Sequence, residues 1–598
     1  MHQTRSVRAG LTAAAVAAVI AAPSLGAPAL AQAGPGADCV DGRAGIYPCD
    51  HVDMDSFLPL PVLGLGNGND IWGWTDPETG KEYALMGSSL ATGFVDVTDP
   101  ADPVLIGYLP SEVPGVFLLW RDIKVADDFA YIVSEIDGHG MQVFDLTKLR
   151  DATGSPPTIF SADAVYTGGP EGEEGLGHVH NVFVNEETDI AYPVGSNTCI
   201  NGGDDPENGG LHMVDVSDPR NPTFLGCALV PAPTDPEAPN NNYSHDVQCV
   251  VYRGPDPDHQ GSEICFGSNE DAVVIYDVTV PTAPEILSVT GYDTAAYTHQ
   301  GWLNADQSVF VFGDELDELD GTVGNTTTYT MDVSDLDAPS APKAFTHDST
   351  AIDHNLYLTD GFMYQSNYAA GLRIFDLATS SLVDAELTEV AFFDVFPAGD
   401  PTEFVGTWSN YAFFDSDTVV VSTILSQESG LFVLDPNLTK VSIGDAAATE
   451  GDGGTTPMTF EVVLEEATDD PVTVAFQTAD GTAVAGEDYE EASGTVTIGP
   501  GETVAEITVQ VLGDTVEEGA ETFTVTLSDP QKGLLGDAEA TGTIRDAQSD
   551  AAPGGAGDGD GAVREPAPPL PATGGGLLWV TLGGVLLAAT GGLRRRRR

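Results

Sequence analysis

The sequence predicts an all-β protein: a seven-bladed β-propeller over residues 39–437, a β-sandwich over 441–546, and a C-terminal transmembrane helix at 575–593. Three observations predict it. A pattern of short strands recurs seven times in the first part. Regular two-residue alternation fills the second. An unbroken apolar run, closed by five arginines, ends the chain.

The first element is a leader. Arg5 and Arg8 precede the apolar stretch Leu11 to Ala22, and Ala31-Gln32-Ala33 is a small-x-small cleavage sequence. Residues 1–33 therefore read as a signal peptide cut between Ala33 and Gly34. Export fits the six cysteines, which include no C-x-x-C pair. An even number in an exported chain points to disulfides. Cys39 and Cys49 are close enough to tie down the mature N-terminus. The other four allow three connectivities, of which Cys199–Cys227 and Cys249–Cys265 are preferred.

The large domain follows. Polar pairs open a strand at Asn69-Asp70, Arg121-Asp122, His180-Asn181, His245-Asp246, His299-Gln300, His354-Asn355 and Ser409-Asn410. A second strand follows each pair, and a third ends in aspartate, as at Asp96, Asp145, Asp215, Asp277, Asp332 and Asp376. Seven four-stranded units spell a propeller, because one blade cannot bury both of its faces and a ring of them can. The repeated aspartate is expected to cap a turn by accepting backbone N–H groups.

In such a ring the opening residues of the innermost strands gather at one mouth of the central channel. Asp70, Asp122, His180, His245, His299, His354 and Asn410 are the candidates there. Imidazoles and carboxylates converging on an axis suit Zn²⁺, Mn²⁺, Fe²⁺ or Cu²⁺. Strand alternation lets only one member of each pair face the axis, and either member can be that one. The competing reading is a structural network in which each imidazole bonds the neighbouring blade. A second acidic run, Asp314-Glu315-Leu316-Asp317-Glu318, is either a solvated loop or a site for Ca²⁺ or a substrate cation. Nucleophile elbows, zincin helices and phosphate-binding glycine loops are lacking, so any enzymatic reading rests on metal or carboxylate chemistry.

Several strings in this domain resemble those of the choice-of-anchor B family, whose members carry LVIVD-type repeats. They are Gly45-Ile46-Tyr47-Pro48-Cys49, Asp70-Ile71-Trp72-Gly73-Trp74, Trp120-Arg121-Asp122-Ile123-Lys124, His299-Gln300-Gly301-Trp302 and Asp353-His354-Asn355-Leu356. The resemblance implies an extracellular propeller on a variable anchor and supplies no reaction.

From 441 to 546, strands are expected at Met458 to Leu464, Pro471 to Thr478, Gly494 to Ile498, Val504 to Leu512 and Glu521 to Leu527, a β-sandwich rhythm. The strings Thr449-Glu450-Gly451-Asp452, Asp480-Gly481-Thr482-Ala483, Gly486-Glu487-Asp488-Tyr489 and Glu517-Glu518-Gly519-Ala520-Glu521-Thr522-Phe523 resemble the Calx-beta domain. That resemblance implies Ca²⁺ at one end of the sandwich, with Glu450, Asp480, Asp488, Asp514, Glu517 and Asp546 as ligands.

Residues 547–569, rich in Ala, Gly, Asp and Pro, read as a disordered spacer. Then come Leu570-Pro571-Ala572-Thr573-Gly574, the apolar run 575–593 and the basic tail 594–598. The run can just span a bilayer, and the arginines stay cytoplasmic. The arrangement resembles the LPxTG sorting signal (570–598) of sortase substrates. It implies cleavage after Thr573, sortase and peptidoglycan as partners, and membrane contact only before sorting. The mature chain is then secreted and anchored to a Gram-positive cell wall.

The formal net charge of -72, from 93 acidic and 21 basic residues, excludes nucleic acid as a partner, since its phosphates would be repelled. It suits an acidic surface in a salty habitat, clustered Ca²⁺ ligands, or both. Two functions are expected. One is a wall-anchored binding or adhesion protein whose propeller takes an extracellular ligand above a calcium-binding stalk. The other is a wall-displayed metalloenzyme using the histidine and carboxylate ring.

Overall fold

The computed structural model describes residues 34–546, apart from Leu65, Glu174, 202–208, 233–240 and 426–428. The signal peptide, spacer, sorting motif and predicted membrane span lie outside the described residues. Among those described, no helix is long and apolar enough to cross a membrane.

Every extended domain is β. Seven sheets of four to six strands account for residues up to Pro436. Their first strands are Gly68–Thr75, Arg121–Ala126, Val179–Asn185, Asp246–Val251, Thr298–Leu303, Leu356–Thr359 and Gly406–Tyr411. Each lies against the first strand of the next sheet. Gly406–Tyr411 lies against Gly68–Thr75, so the sheets close into a ring. Strands inside it are buried on both faces. Ile190–Ser196 and Glu263–Asn269 are buried at every residue, as sheets covered on both sides require. Aromatic pairs fill the gaps between sheets, with Phe94 on Phe144 at 4.9 Å and Phe266 on Phe310 at 5.4 Å.

The aspartate ending each third strand does what the repeat predicts. Asp96, Asp145, Asp215, Asp277, Asp332 and Asp376 each accept the backbone N–H two residues on, at 2.9–3.1 Å. This carboxylate-closed turn reverses the chain toward the outermost strand.

The ring is latched by its own N-terminus. Val52–Pro59 pairs antiparallel with Gly430–Pro436, so the last sheet is built from both ends of the domain. Tyr47–Asp50 adds to the edge of the preceding sheet. Cys39–Cys49 pins this segment, Cys249–Cys265 staples two neighbouring strands, and Cys199–Cys227 ties the loop after Ile190–Ser196 to Thr223–Ala228. Three bridges and no free cysteine among the described residues fit an oxidising, extracellular setting.

The second unit is a two-sheet sandwich of four and five strands. Gly454–Leu464 alternates exposed and buried residues along its second half, the period of a strand with one wet face. Val441, Phe460, Val462, Val474, Tyr489 and Phe523 lie in its core.

Candidate functional site

A narrow polar cavity of about 10 Å³ lies on the ring axis, where the central strands begin. Asp70, Asp122, His180, His245, His299 and His354 all line it. Asn410 does not; it is buried beside it and donates to Ser366 Oγ at 2.9 Å. Members of both classes, imidazole and carboxylate or amide, reach this space, contrary to strict strand alternation. Part of the reason is local: His245 and the His354-Asn355 pair lie before the strands Asp246–Val251 and Leu356–Thr359 begin, so strand alternation does not govern them.

The four imidazoles form a row. Successive ring centroids are 4.2 Å apart for His180 and His245, 4.1 Å for His245 and His299, and 4.4 Å for His299 and His354. His245 Nδ1 bonds the His299 carbonyl at 2.8 Å, and His354 Nδ1 the Trp408 carbonyl at 2.5 Å, each in the next sheet. Burial pushes His245 and His299 well below the usual histidine range and His354 down to about 3. His180 differs. Burial opposes its charge, but the Glu135 carboxylate at 2.6 Å outweighs burial and raises it.

The acidic members serve the ring. Asp70 Oδ2 accepts the Ile123 N–H at 3.1 Å, and Asp122 Oδ2 the Val182 N–H at 2.7 Å. Gln300 Oε1 likewise accepts the Leu356 N–H at 2.9 Å. Each side chain thus grips the inner strand of the following sheet. Lys124, itself buried, sits 2.6 Å from Asp122 and 3.8 Å from Asp70. Burial raises Asp70. It would raise Asp122 too, but the Lys124 charge and the hydrogen bonds it accepts bring that group down.

The acidic run after Val309–Asp314 is not a solvated loop. Asp314, Asp317 and Glu318 are buried, because the loop folds inward beneath the next sheet. Glu315 reaches the histidine row, with its oxygens 3.7 Å from His299 Nε2 and 3.5 Å from His354 Nε2. Burial lifts its carboxyl to about 7, although Tyr368 donates to it at 2.6 Å.

A second, larger cavity of about 640 Å³ opens two residues further along the same strands. Trp72, Phe183, Trp302, Tyr411 and Phe413 wall it, and Lys124 reaches into both cavities. Tyr357 lines the narrow cavity and stands behind the wall, with ring centroids 5.6 Å from Trp72 and 5.2 Å from Trp302. Asp127, Glu186, Glu187 and Asp415 lie at this cavity, where Arg253 is paired with Glu187. The signal for it was in the repeat: the positions two residues after the polar pairs read Trp72, Lys124, Phe183, Gln248, Trp302 and Tyr357.

At one end of the sandwich, acids crowd. Ligand oxygens of Asp488, Glu518 and Glu521 lie within 4.8 Å of one another. Glu450 is raised first by burial and then by Asp546, Asp514, Glu518 and Asp488, which places those charges around it. Of the sequence candidates, Glu450, Asp488, Asp514 and Asp546 therefore meet. Asp480 instead accepts Tyr489 OH at 2.7 Å and the Ala485 N–H at 2.8 Å, closing its loop. Glu517 is exposed, and its neighbour Glu518 turns inward with Glu521. The adjacent glutamates differ only in which side of the turn they face, which spacing does not encode. Several carboxylates from three loops are a donor set that fits Ca²⁺.

Comparison with known proteins agrees with this division. Parts of the chain match sodium/calcium exchanger 1 of Bos taurus, at 49% identity over 63 residues, and of Rattus norvegicus, at 53% over 57. Each match spans 10% of this chain and 6% of the exchanger. Among solved structures, the apo-form Calx CBD1 domain aligns at 25% identity over 97% of its length and 18% of this chain, with TM-score 0.17. A protein from Lactobacillus plantarum aligns at 16% identity over 89% of its length and 60% of this chain, with TM-score 0.36. Residues 206–229 match the LVIVD repeat, and residues 435–548 match the Calx-beta domain.

Proposed function

We propose that this chain is an extracellular binding protein whose ring of sheets is a seven-bladed propeller that takes a small organic cation in its aromatic-walled cavity. The observation that carries this reading is the conjunction at that cavity. About 640 Å³ is the size of a ligand site, five aromatic rings wall it, and carboxylates surround it. Aromatic faces and nearby acids attract an alkylammonium group from two directions. The Calx-beta domain would carry the head on a calcium-stiffened stalk. Glu450, Asp488, Asp514, Glu518, Glu521 and Asp546 would hold Ca²⁺ there, and the bound charge would relieve their mutual repulsion. The sequence 570–598 would hand the chain to sortase for attachment to peptidoglycan.

Choline titrated against the secreted protein tests the head. Trp72, Trp74 and Trp302 lie at the cavity, so saturable quenching of tryptophan emission is expected, weakened at least tenfold by Trp302→Ala. No change up to millimolar choline removes this ligand class. Deleting residues 570–574 tests the anchor: the protein should move from the wall fraction to membrane or medium, and its retention in the wall refutes attachment by this route.

One observation favours a second reading, a metal-dependent enzyme. Ligand atoms of His299, Glu315 and His354 lie within 4.8 Å of one another beside the narrow cavity. A stoichiometric transition metal in the purified protein, lost in His299→Ala, would support it.

A further inference from the structure

We propose that Asp317, Glu318 and Asp353 form a buried site for a hard divalent cation, Ca²⁺ above all, bridging two adjacent sheets of the ring. One oxygen from each residue lies within 4.8 Å of the others. Oxygens gathered this closely can share one Ca²⁺ ion, which takes oxygen ligands at about 2.3–2.6 Å in flexible geometry.

A cluster of acids alone would mean little. Here three carboxylate oxygens, Asp317 Oδ1, Glu318 Oε2 and Asp353 Oδ1, are buried without a hydrogen-bond donor. Their residues are 0%, 7% and 0% exposed. The other oxygen of each is already engaged. Asp317 Oδ2 accepts Tyr329 OH at 2.7 Å, Glu318 Oε1 the Thr327 N–H at 2.8 Å, and Asp353 Oδ2 the Asp314 N–H at 3.1 Å. These bonds hold one oxygen of each side chain and leave the other without a donor. Among the described residues no lysine or arginine pairs with any of them. Gly313 makes the approach possible, since a Cβ there would stand 1.9 Å from Asp353 Oδ2.

Buried carboxylates left facing one another are costly unless a proton or a cation lies between them. A proton supplies one donor for three oxygens; a divalent cation serves all three. Asp317 and Glu318 belong to the sheet of Thr298–Leu303, and Asp353 leads into Leu356–Thr359 of the next. Glu315 and His354 are close neighbours of these ligands in the chain. The ion would therefore set the floor of the histidine row.

The site is independent of the organic-cation reading, and Trp302→Ala should leave it intact. Equilibrium dialysis of the secreted protein against Ca²⁺ tests it, using wild type, Glu318→Gln, Asp317→Asn and the sandwich pair Asp488→Asn/Glu518→Gln. Each ring variant is expected to bind one Ca²⁺ fewer than wild type and to lose part of the Ca²⁺-dependent rise in Tm. The sandwich pair should retain at least one tightly bound Ca²⁺. Equal Ca²⁺ content in wild type and a folded ring variant overturns the proposal and leaves a shared proton in its place. If neither ring variant folds, the sandwich pair decides, and a sandwich variant with no bound Ca²⁺ overturns it as well.

Discussion

His180 Nδ1 lies 2.6 Å from Glu135 Oε1, and this contact sets His180 apart from the three histidines stacked beside it. The histidine is raised and the glutamate lowered, each against the pull of burial. The His180 contribution is complete below its unfolded pKa near 6.5 and is lost as pH rises through the raised folded value. The Glu135 contribution is present above its unfolded value near 4.5 and is lost as pH falls through the lowered one. The pair therefore stabilises most between about pH 4.5 and 6.5. Glu135→Gln should cost about 1.5–3 kcal/mol at pH 6 and much less at pH 9, read from calorimetric Tm values. It should also lower the NMR titration midpoint of His180. An unchanged midpoint would show that Glu135 does not govern this imidazole.

Lys124 compensates two buried carboxylates at once, Asp122 and Asp70. Lys124→Met leaves both without a cation, and the loss should reach about 3–5 kcal/mol. The unpaired acids then have pKa values above their unfolded ones. Their penalty is full above the folded pKa and eases as pH falls and a proton replaces the lysine. The variant should thus lose more stability, relative to wild type, at pH 8 than at pH 5. A loss that does not change with pH would mean that packing on Trp72, whose ring centre lies 4.6 Å from Lys124 Nζ, dominates.

Gly73 gives the aromatic cavity one of its walls. A Cβ at this position would stand 2.2 Å from Cε1 of Tyr411, so the tyrosine ring occupies the space of a side chain. Gly73→Ala must displace that ring. A cost of about 1–3 kcal/mol is expected, as for other overpacked positions. Choline quenching should weaken in the same variant while the Ca²⁺ content stays that of wild type. Unaltered choline binding would mean that Tyr411 takes no part in the ligand site.

Much of this architecture is legible because it repeats. The pair positions fall 52 to 65 residues apart, and six of the seven strand-ending aspartates close the turn their chemistry suggests. The sandwich strands, with one wet face, announce themselves by alternation, and the expected starts and ends fall within a few residues of Gly454–Leu464 and Val504–Gly513. What escapes the sequence is set by contacts between distant segments. The latch of Val52–Pro59 on Gly430–Pro436 joins the two ends of a domain. Asp317 and Glu318 come together with Asp353, which lies just before the first strand of another sheet. The inward turn of Glu518 rather than Glu517 is a one-residue choice of face. The aromatic cavity was legible in principle, as a register two residues beyond the polar pairs, but its meaning needed the ring to be closed.

The joint between ring and sandwich depends on lysines from the sandwich. Lys532 Nζ pairs with Asp53 of the ring and lies 3.8 Å from Asp38 and 3.3 Å from Asp470. Lys440 pairs with Asp376 of the ring at 2.8 Å. Around Lys532 the acids are already strained: Asp55 is lifted to about 6 by burial and then by Asp435 and Asp53. Removing the cation by Lys532→Met leaves those charges to repel across the joint, although Asp53 keeps its bond from Asn437 at 2.7 Å. A partly exposed pair of this kind is worth roughly 1 kcal/mol, so the open fraction of the joint should rise about fivefold. Limited proteolysis between 436 and 441 should speed up accordingly, with the sandwich's own Tm unchanged. The effect should be larger at pH 8, where the acids are ionised, than at pH 5, and high salt should reduce it. Equal cleavage in variant and wild type at low salt would show that the two domains are held together by chain connectivity and the Lys440 pair alone.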